Sequence, residues 1–241
     1  MSQQAAIPDE IREGARNAVE SCMKVISADR VFVITDRDRM TIGEALLAES
    51  RRLGAESKLV VLEDYGQRPI LALPGRFVDD VKVFGPTVTF FAAGGKLGEL
   101  KFRIPMREFL VNQLKVRHGH MIGISEQLMK EGMRTDYNVI ARVTQKVYDR
   151  VKNAKEIRFT SVKGSDFMAN LDPQRLHWKA CPGIYEAPGE WGNLPEGELF
   201  TSTETSNGVI VADVLGDYFS DKYGLLESPA VFRVVESRVV A

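Results

Sequence analysis

The sequence contains few of the residues that build metal sites and disulfide frameworks. Among 241 residues there are only two cysteines, Cys22 and Cys181, and three histidines, and no C-x-x-C pair occurs. Two isolated cysteines cannot form the dense cross-links of a small secreted domain, and they do not match the paired spacing of a structural zinc site. We therefore predict that both cysteines are reduced and structural.

An excess of charge of one sign and long apolar runs are also missing. The chain has 32 basic and 33 acidic residues, so its overall charge does not attract nucleic acid or an anionic membrane. No apolar run reaches the roughly 18 residues of a membrane-spanning helix, and residues 1–6 show neither the apolar core of a signal peptide nor an Arg-rich leader. These absences predict a cytoplasmic protein without nucleic-acid or membrane partners.

Several catalytic and nucleotide-binding motifs are missing as well. The chain has no G-x-S-x-G, H-E-x-x-H or P-loop sequence. Gly94–Gly98 follows the third predicted strand but does not match G-x-G-x-x-G, and the first strand leads instead into Asp36 and Asp38, whose charges would repel a pyrophosphate. A turn is therefore favoured over a nucleotide site at Gly94–Gly98, and a dinucleotide-dependent oxidoreductase is disfavoured.

What the sequence does contain, up to about residue 155, is an alternation of apolar strands and amphipathic helices. Mostly apolar runs predict strands at 30–35, 58–62 and 87–92, the first two of them buried, and 118–122 is predicted to be a short fourth strand. Spacings of three and four residues predict helices at about 8–26, 41–54, 77–83, 104–116, 125–130 and 136–151. This alternation is typical of a parallel sheet with helices on its faces.

After residue 155 the pattern changes to short strands and turns. A hairpin is predicted over 156–171, with further strands at 176–180, 198–202, 208–214 and 230–235. The fold class is thus α/β, with an N-terminal parallel-sheet (Rossmann-like) domain at residues 1–155 followed by a β-rich second domain at residues 156–241. Because the chain ends in an apolar stretch without a polar tail, we expect the second domain to be incomplete, as in a truncated protein.

The stretch Gly189–Thr201 is the strongest candidate for a functional site. Its glycines and its proline require tight turns, and Glu190, Glu196 and Glu198 add hard oxygen ligands before an apolar, strand-like run begins. A carboxylate at the start of a strand is well placed to bind a metal ion. An acidic turn without any function has the same composition, so spacing alone leaves both interpretations open.

Other candidate ligands are weaker. His118 and His120 are two apart on a predicted strand and therefore face the same side, which suits either a metal site or hydrogen bonding within the core. The only other histidine, His177, is predicted to lie in a strand, and packing roles are favoured for all three. Asp213 and Asp217 could supply oxygen ligands, but such residues more often form the polar end of a strand.

Most of the chain resembles a known family, and the resemblance is strongest from about Arg158 to Leu226. Gly192–Thr201, followed by Asn207–Asp213, resembles the metal-dependent aminopeptidases of the thermophilic aminopeptidase T and S type, and Lys163–Phe167 and Arg117–Met121 fit the same group. The resemblance implies an exopeptidase that removes N-terminal residues from peptides through a two-metal centre of zinc, cobalt or manganese. It also implies that Glu198 is a metal ligand, and that the remaining ligands lie beyond residue 241. It identifies no catalytic base in this chain.

Two alternatives accompany this hypothesis. A relative in the same fold group opens aromatic rings with a mononuclear iron, so an iron-dependent ring-opening dioxygenase is a second enzyme hypothesis, and it too requires further histidines. A non-catalytic binding or assembly module of the same fold is the third. An unpaired strand edge would pair with another chain, which predicts a homo-oligomer.

Overall fold

The computed structural model describes residues 7–216 and 218–241. The chain forms two compact units: one consists of residues up to Val143 together with Cys181–Gly197, and the other of Thr144–Ala180 together with Glu198–Ala241. The predicted α/β class is confirmed, because a parallel sheet lies in the first unit and antiparallel strands lie in the second. The predicted boundary near residue 155 stays a prediction.

The strands and helices follow the predicted alternation. In chain order, the strands are β1 (Arg30–Thr35), β2 (Glu56–Val61), β3 (Val88–Ala92), β4 (Arg117–His120), β5 (Glu156–Thr160), β6 (Asp166–Asn170), β7 (Lys179–Cys181), β8 (Trp191–Asn193), β9 (Glu198–Phe200), β10 (Thr205–Ala212), β11 (Ala230–Val235) and β12 (Arg238–Val239). The helices are α1 (Asp9–Asn17), α2 (Met40–Arg52), α3 (Gly75–Phe84), α4 (Leu100–Arg107), α5 (Glu126–Lys130), α6 (Tyr137–Val151) and α7 (Tyr218–Tyr223). Wider π-helical turns extend α1 over Ala18–Cys22 and α4 over Glu108–Gln113.

The parallel sheet has the strand order β2-β1-β3-β4-β8. Successive residues of β1 point to opposite faces of the sheet, so each face has its own core. Val31 and Val33 pack with the apolar residues of α1 and α2, and Phe32 and Ile34 pack with those of α3 and α4. Burial on both faces explains why β1 is a nearly continuous apolar run in the sequence.

A buried ion network joins the loops at the carboxyl edge of this sheet. The Arg68 guanidinium donates to Asp36 (2.5 Å) and to both oxygens of Glu99 (2.8 and 2.6 Å), and all three side chains are at most 3% exposed. Burial alone would raise the pKa of Asp36, but the Gly94 amide and the Arg68 cation outweigh it and hold that pKa below its ordinary value. Asp36 therefore anchors Gly94, which begins the glycine-rich loop that follows β3.

The second unit contains the antiparallel sheet β12-β11-β10-β6-β5. The predicted hairpin is present as β5 and β6, with Phe159 opposite Phe167. The candidate ligand Asp213 forms an ion pair with Lys163 at 2.7 Å, and Asp217 lies outside the described residues. His177 is exposed and precedes β7, so the prediction that it lies in a strand is wrong.

Within the described ranges, none of the helices combines the length and the apolar character needed to cross a membrane.

The Arg68 network gives a first testable prediction. Replacing Arg68 by methionine should lower the free energy of unfolding by about 3–5 kcal/mol, because buried Glu99 loses its cation and buried Asp36 keeps only the longer 3.4 Å contact with Arg39. Arg175→Met is a suitable control, since the ion pair of Arg175 with Glu204 is exposed, and it should cost no more than about 1 kcal/mol. Denaturant unfolding of both variants measures the difference, and similar small losses in the two would contradict the assignment.

Candidate functional site

The candidate loop returns to the edge of the parallel sheet before it reaches Glu198. Trp191–Asn193 forms β8 and pairs in parallel with β4, with Trp191 opposite His118 and Asn193 opposite His120. This strand was not predicted from the sequence. Leu194 follows it into the apolar core, and the chain then passes through Glu196 to Glu198 at the start of β9. Backbone pairing therefore fixes the segment that precedes the candidate ligand.

Close packing against a tyrosine holds the loop in this conformation. The Tyr185 hydroxyl donates to the Glu196 carboxylate at 2.6 Å, and the Tyr137 hydroxyl accepts from the Glu196 amide at 3.3 Å. A Cβ atom on Gly192 would lie only 1.7 Å from the Tyr185 hydroxyl oxygen, and one on Gly183 would lie 2.4 Å from the Tyr137 ring. Glycine is required at both positions because tyrosine atoms occupy the space of a side chain.

The three carboxylates of the loop have different environments. Glu190 accepts hydrogen bonds from the amides of Glu186 (2.7 Å) and Ala187 (2.9 Å), so it closes a turn. Glu196 is half-buried and bound to Tyr185, whose pKa is raised by burial and by this carboxylate. The Glu198 side chain is exposed and forms no ion pair or hydrogen bond with any residue that the structure describes. Its carboxylate is therefore the one with free oxygens, and its assignment as a metal ligand stays a prediction.

Both cysteines are free and buried, as predicted. Burial raises the pKa of the Cys22 thiol, so this group stays protonated and unreactive. Cys181 differs, because its sulfur lies within 4.8 Å of a carboxylate oxygen of Glu196. The proximity of Cys181 to Glu196 was not predicted, because the spacing of the two residues in the sequence does not indicate it.

His118 and His120 form a hydrogen-bonded chain inside the parallel sheet. The Nδ1 atom of His118 lies 2.7 Å from the Thr89 hydroxyl, and its Nε2 atom lies 3.1 Å from Nδ1 of His120. The His120 ring stacks on Phe91, with ring centroids 5.1 Å apart. Both nitrogens of His118 are thus occupied, which fits the favoured interpretation of the pair as hydrogen-bonding core residues.

Burial keeps these two imidazoles neutral. It lowers the pKa of His118 well below its ordinary value, and the neighbouring His120 and Arg107 act in the same direction. Burial together with the charges of Arg103 and Arg107 lowers the pKa of His120 to about 4. At neutral pH both rings are therefore uncharged.

The donor atoms of the described residues do not fit a complete metal centre of either predicted type. In the described part of the chain, none of the three histidines lies close to two or more other residues that could also bind a metal ion through a histidine, cysteine or carboxylate atom. A non-haem iron site typically combines two histidines with a carboxylate, and a two-metal site needs several ligands around ions about 4 Å apart. Glu198 supplies one carboxylate toward either centre.

Comparison with known proteins places the chain in a family. The sequence model of NicX, described as 2,5-dihydroxypyridine 5,6-dioxygenase, matches residues 120–241, just over half of the chain. The chain belongs to this family. The matched region contains the whole Gly189–Thr201 loop and all of the second unit's strands. None of the curated proteins matches the chain in sequence.

Two solved structures share the fold of this NicX-family chain. The 2,5-dihydroxypyridine dioxygenase from Pseudomonas putida KT2440 has a TM-score of 0.68 at 15% identity, over 98% of this chain and 68% of that chain. Wild-type AmpT from Thermus thermophilus has a TM-score of 0.61 at 13% identity, over 98% of this chain and 71% of that chain. At these identities the likeness supports the fold alone. The predicted resemblance to the aminopeptidases is therefore confirmed for the fold, whereas the family is that of NicX.

Sequence reasoning missed three features of this region: β8, the Tyr185–Glu196 hydrogen bond and the Arg68 network. The first had a detectable signal, because Gly192 interrupts a short run that begins with an aromatic residue, and a strand glycine often marks a close approach of another group. The contacts of Tyr185 and Arg68 could not be predicted from neighbouring residues, because their partners are distant in the sequence or lie in separate loops.

The close packing at Gly192 leads to a second prediction. Gly192→Ala should lower the free energy of unfolding by about 1–3 kcal/mol or more, because the new methyl group overlaps Tyr185 and Glu196. Gly75→Ala is the matched control, since no atom lies within 4 Å of a Cβ at that helical position, and it should be neutral or stabilising by up to about 1 kcal/mol. Equal thermal stability of the two variants would show that the loop does not pack in this way.

The buried histidines lead to a third prediction, on acid stability. The pKa of His120 is about 4 in the folded protein and 6.5 ordinarily, so below 6.5 the unfolded chain binds a proton that the folded protein excludes. Stability should therefore fall as the pH drops from 6.5 toward 4, by about 3 kcal/mol at about 1.4 kcal/mol per pKa unit. His118 contributes in the same direction.

Denaturant unfolding at a series of pH values tests this expectation. His120→Gln should be less stable than wild type at neutral pH but should lose less stability on acidification. His177→Gln, which alters an exposed histidine, should keep the slope of the wild-type protein. If the free energy of unfolding of His120→Gln falls with pH as steeply as that of wild type, His120 is not the group that causes the loss of stability in acid.

Proposed function

We propose that the protein is an iron-dependent ring-opening dioxygenase that acts on a dihydroxylated pyridine or a closely related hydroxylated heteroaromatic ring. The observation that carries this proposal is the NicX family match over residues 120–241. The similar fold of the Pseudomonas putida dioxygenase is consistent with it. The ring-opening alternative from the sequence is thus preferred to the aminopeptidase hypothesis.

Within this proposal, Glu198 is the iron ligand that this chain supplies. Three features support the role: Glu198 has free carboxylate oxygens, it begins a strand, and the segment before it is held by β8 and by the Tyr185–Glu196 hydrogen bond. A ligand on a rigid segment keeps its position when a metal binds. No described histidine lies in a ligand group with Glu198. Glu198 therefore supplies one ligand of such a centre and not the complete donor set.

Peptide hydrolysis by a two-metal centre of zinc, cobalt or manganese remains the competing hypothesis. Its structural support is the fold likeness to AmpT, and this likeness does not distinguish hydrolysis from ring opening. The two activities differ in their co-substrate, since a dioxygenase consumes molecular oxygen and a peptidase consumes water. Oxygen uptake therefore separates them directly.

The fourth prediction concerns oxygen uptake by the purified protein supplied anaerobically with Fe(II). On addition of oxygen and 2,5-dihydroxypyridine, oxygen should be consumed in step with the loss of the ring absorbance. Glu198→Gln should lower kcat/KM by at least about 100-fold, because loss of a metal ligand should cost more than the 10–100-fold that follows from changing a residue that only hydrogen-bonds to a ligand. Glu190→Gln is the matched control in the same loop, and its activity should stay within a few-fold of wild type, because Glu190 closes a turn.

Other outcomes decide against the proposal. Release of a chromogenic amine from an N-terminal amide with zinc, cobalt or manganese, without oxygen uptake, would establish the aminopeptidase hypothesis instead. Full activity in Glu198→Gln would remove Glu198 from the site. Absence of both activities and of metal uptake, together with a homo-oligomer in light scattering, would favour the binding or assembly module.

A further inference from the structure

A cleft of about 670 Å³ opens at the amino edge of the parallel sheet, where β1, β3 and β4 begin. Its lining residues all belong to the first compact unit: Lys24, Ile26, Asp29, Pro86, Thr87, Leu114, Lys115, Arg117, Glu186 and Pro188. The volume falls in the range of small-molecule sites, about 300–1,000 Å³. Glu196 and Glu198 follow the opposite, carboxyl end of β8. The cleft is therefore separate from the candidate metal site.

The floor of the cleft is a rigid polar network. The Arg117 guanidinium donates to Asp29 at 2.7 Å and to the Met23 carbonyl at 2.6 Å, and the Thr87 hydroxyl donates to Asp29 at 2.7 Å. Asp29 also accepts from the Ile26 amide at 2.9 Å. Because these buried groups satisfy one another, the floor keeps its shape without a ligand.

Two lysines at the rim have an unusual backbone conformation. Lys24 (φ +46°) and Lys115 (φ +56°) are left-handed, and each lies just beyond the π-helical end of α1 or α4. Glycine or asparagine is favoured at such helix ends, because a Cβ atom clashes with the neighbouring carbonyl in this conformation. The other non-glycine residues of the described chain with positive φ are Glu236 and Ser237, which form the tight turn between β11 and β12.

A lysine in the unfavourable left-handed conformation thus occurs at two helix ends. These helix ends are far apart in the sequence, but both border the same cleft. Backbone strain that recurs at a single cavity points to a use for the side chains that impose it.

The charges of the rim are left unbalanced by the protein itself. Neither Lys24 nor Lys115 forms an ion pair within the described ranges, whereas Arg117 is paired with Asp29. Glu186, the one acidic side chain at the rim, is likewise not in an ion pair there, so the rim carries a net positive charge. Beside the lysines lie the apolar side chains of Ile26, which is 61% exposed, and Leu114, which is 38% exposed. Cations next to exposed apolar walls suit a ligand that is anionic at one end and apolar at the other.

We propose that this cleft binds a small organic anion, a carboxylate carried on a compact apolar body. The ammonium groups of Lys24 and Lys115 bind the carboxylate, and Ile26 and Leu114 contact the apolar part. The site does not depend on the proposed dioxygenase activity, because it shares no residue with the Gly189–Thr201 loop.

The fifth prediction is tested by calorimetric titration of the purified full-length chain with benzoate. Binding should be saturable with Kd of about 1 mM or tighter, and the uncharged isostere benzamide should bind at least about tenfold more weakly. Lys24→Asn and Lys115→Asn should each weaken benzoate binding about five- to tenfold, and the double variant should abolish it. Glu186→Gln should tighten binding, because it removes the rim's negative charge.

The choice of asparagine separates loss of binding from loss of folding. Asparagine adopts the left-handed conformation more readily than lysine, so the Tm of both variants should equal or exceed that of wild type. Lys101→Gln, which removes an exposed charge on α4, and Glu198→Gln should leave benzoate affinity unchanged. The proposal is overturned if wild type shows no saturable binding, if benzamide binds as well as benzoate, if the two asparagine variants bind normally, or if Glu198→Gln loses binding.

Discussion

The path of the segment that precedes the candidate ligand depends on the contact between Tyr185 and the residues Gly192 and Glu196. The Tyr185 hydroxyl occupies the space in which any larger residue at 192 would place its side chain, and it binds the Glu196 carboxylate at 2.6 Å. This contact and the pairing of β8 with β4 hold the loop from two sides. Glu198 therefore follows a segment whose path is fixed by the core of the parallel sheet and not by the loop itself.

Environment, more than residue type, decides what the carboxylates of this chain can do. Asp36 and Glu99 are buried and neutralised by Arg68, so they stabilise the carboxyl edge of the sheet and have no oxygen left for a ligand. Glu190 and Glu196 bind backbone amides and a tyrosine hydroxyl, respectively. These residues and Glu198 look alike in the sequence, and only their partners separate structural carboxylates from a free one.

Local patterns predicted the elements well, because burial on both faces produces continuous apolar runs such as 30–35, and alternation produces the β5–β6 hairpin. Periodicity did not predict the return of the chain at β8, since a strand of three residues is too short to show any, and only Gly192 marks it in the sequence as a position of close approach. The family of the chain was harder to predict from its sequence than the strands and helices. The Gly192–Thr201 motif favoured the aminopeptidases and so indicated the correct fold, but one fold hosts different chemistries, and the family model that matches the chain is that of NicX.

The proposed ring opening and the competing peptide hydrolysis call for different donor sets: two histidines with a carboxylate at a non-haem iron, and several ligands around two ions in a two-metal centre. A glutamate at the position of Glu198 suits iron, zinc or manganese, because a carboxylate is a hard ligand with little selectivity of its own. Histidine nitrogens confer the selectivity, and in this chain His118 uses both of its nitrogens within the core, toward Thr89 and His120. His118 therefore has no nitrogen free for a metal ion, so its burial serves the core of the parallel sheet and not a metal centre.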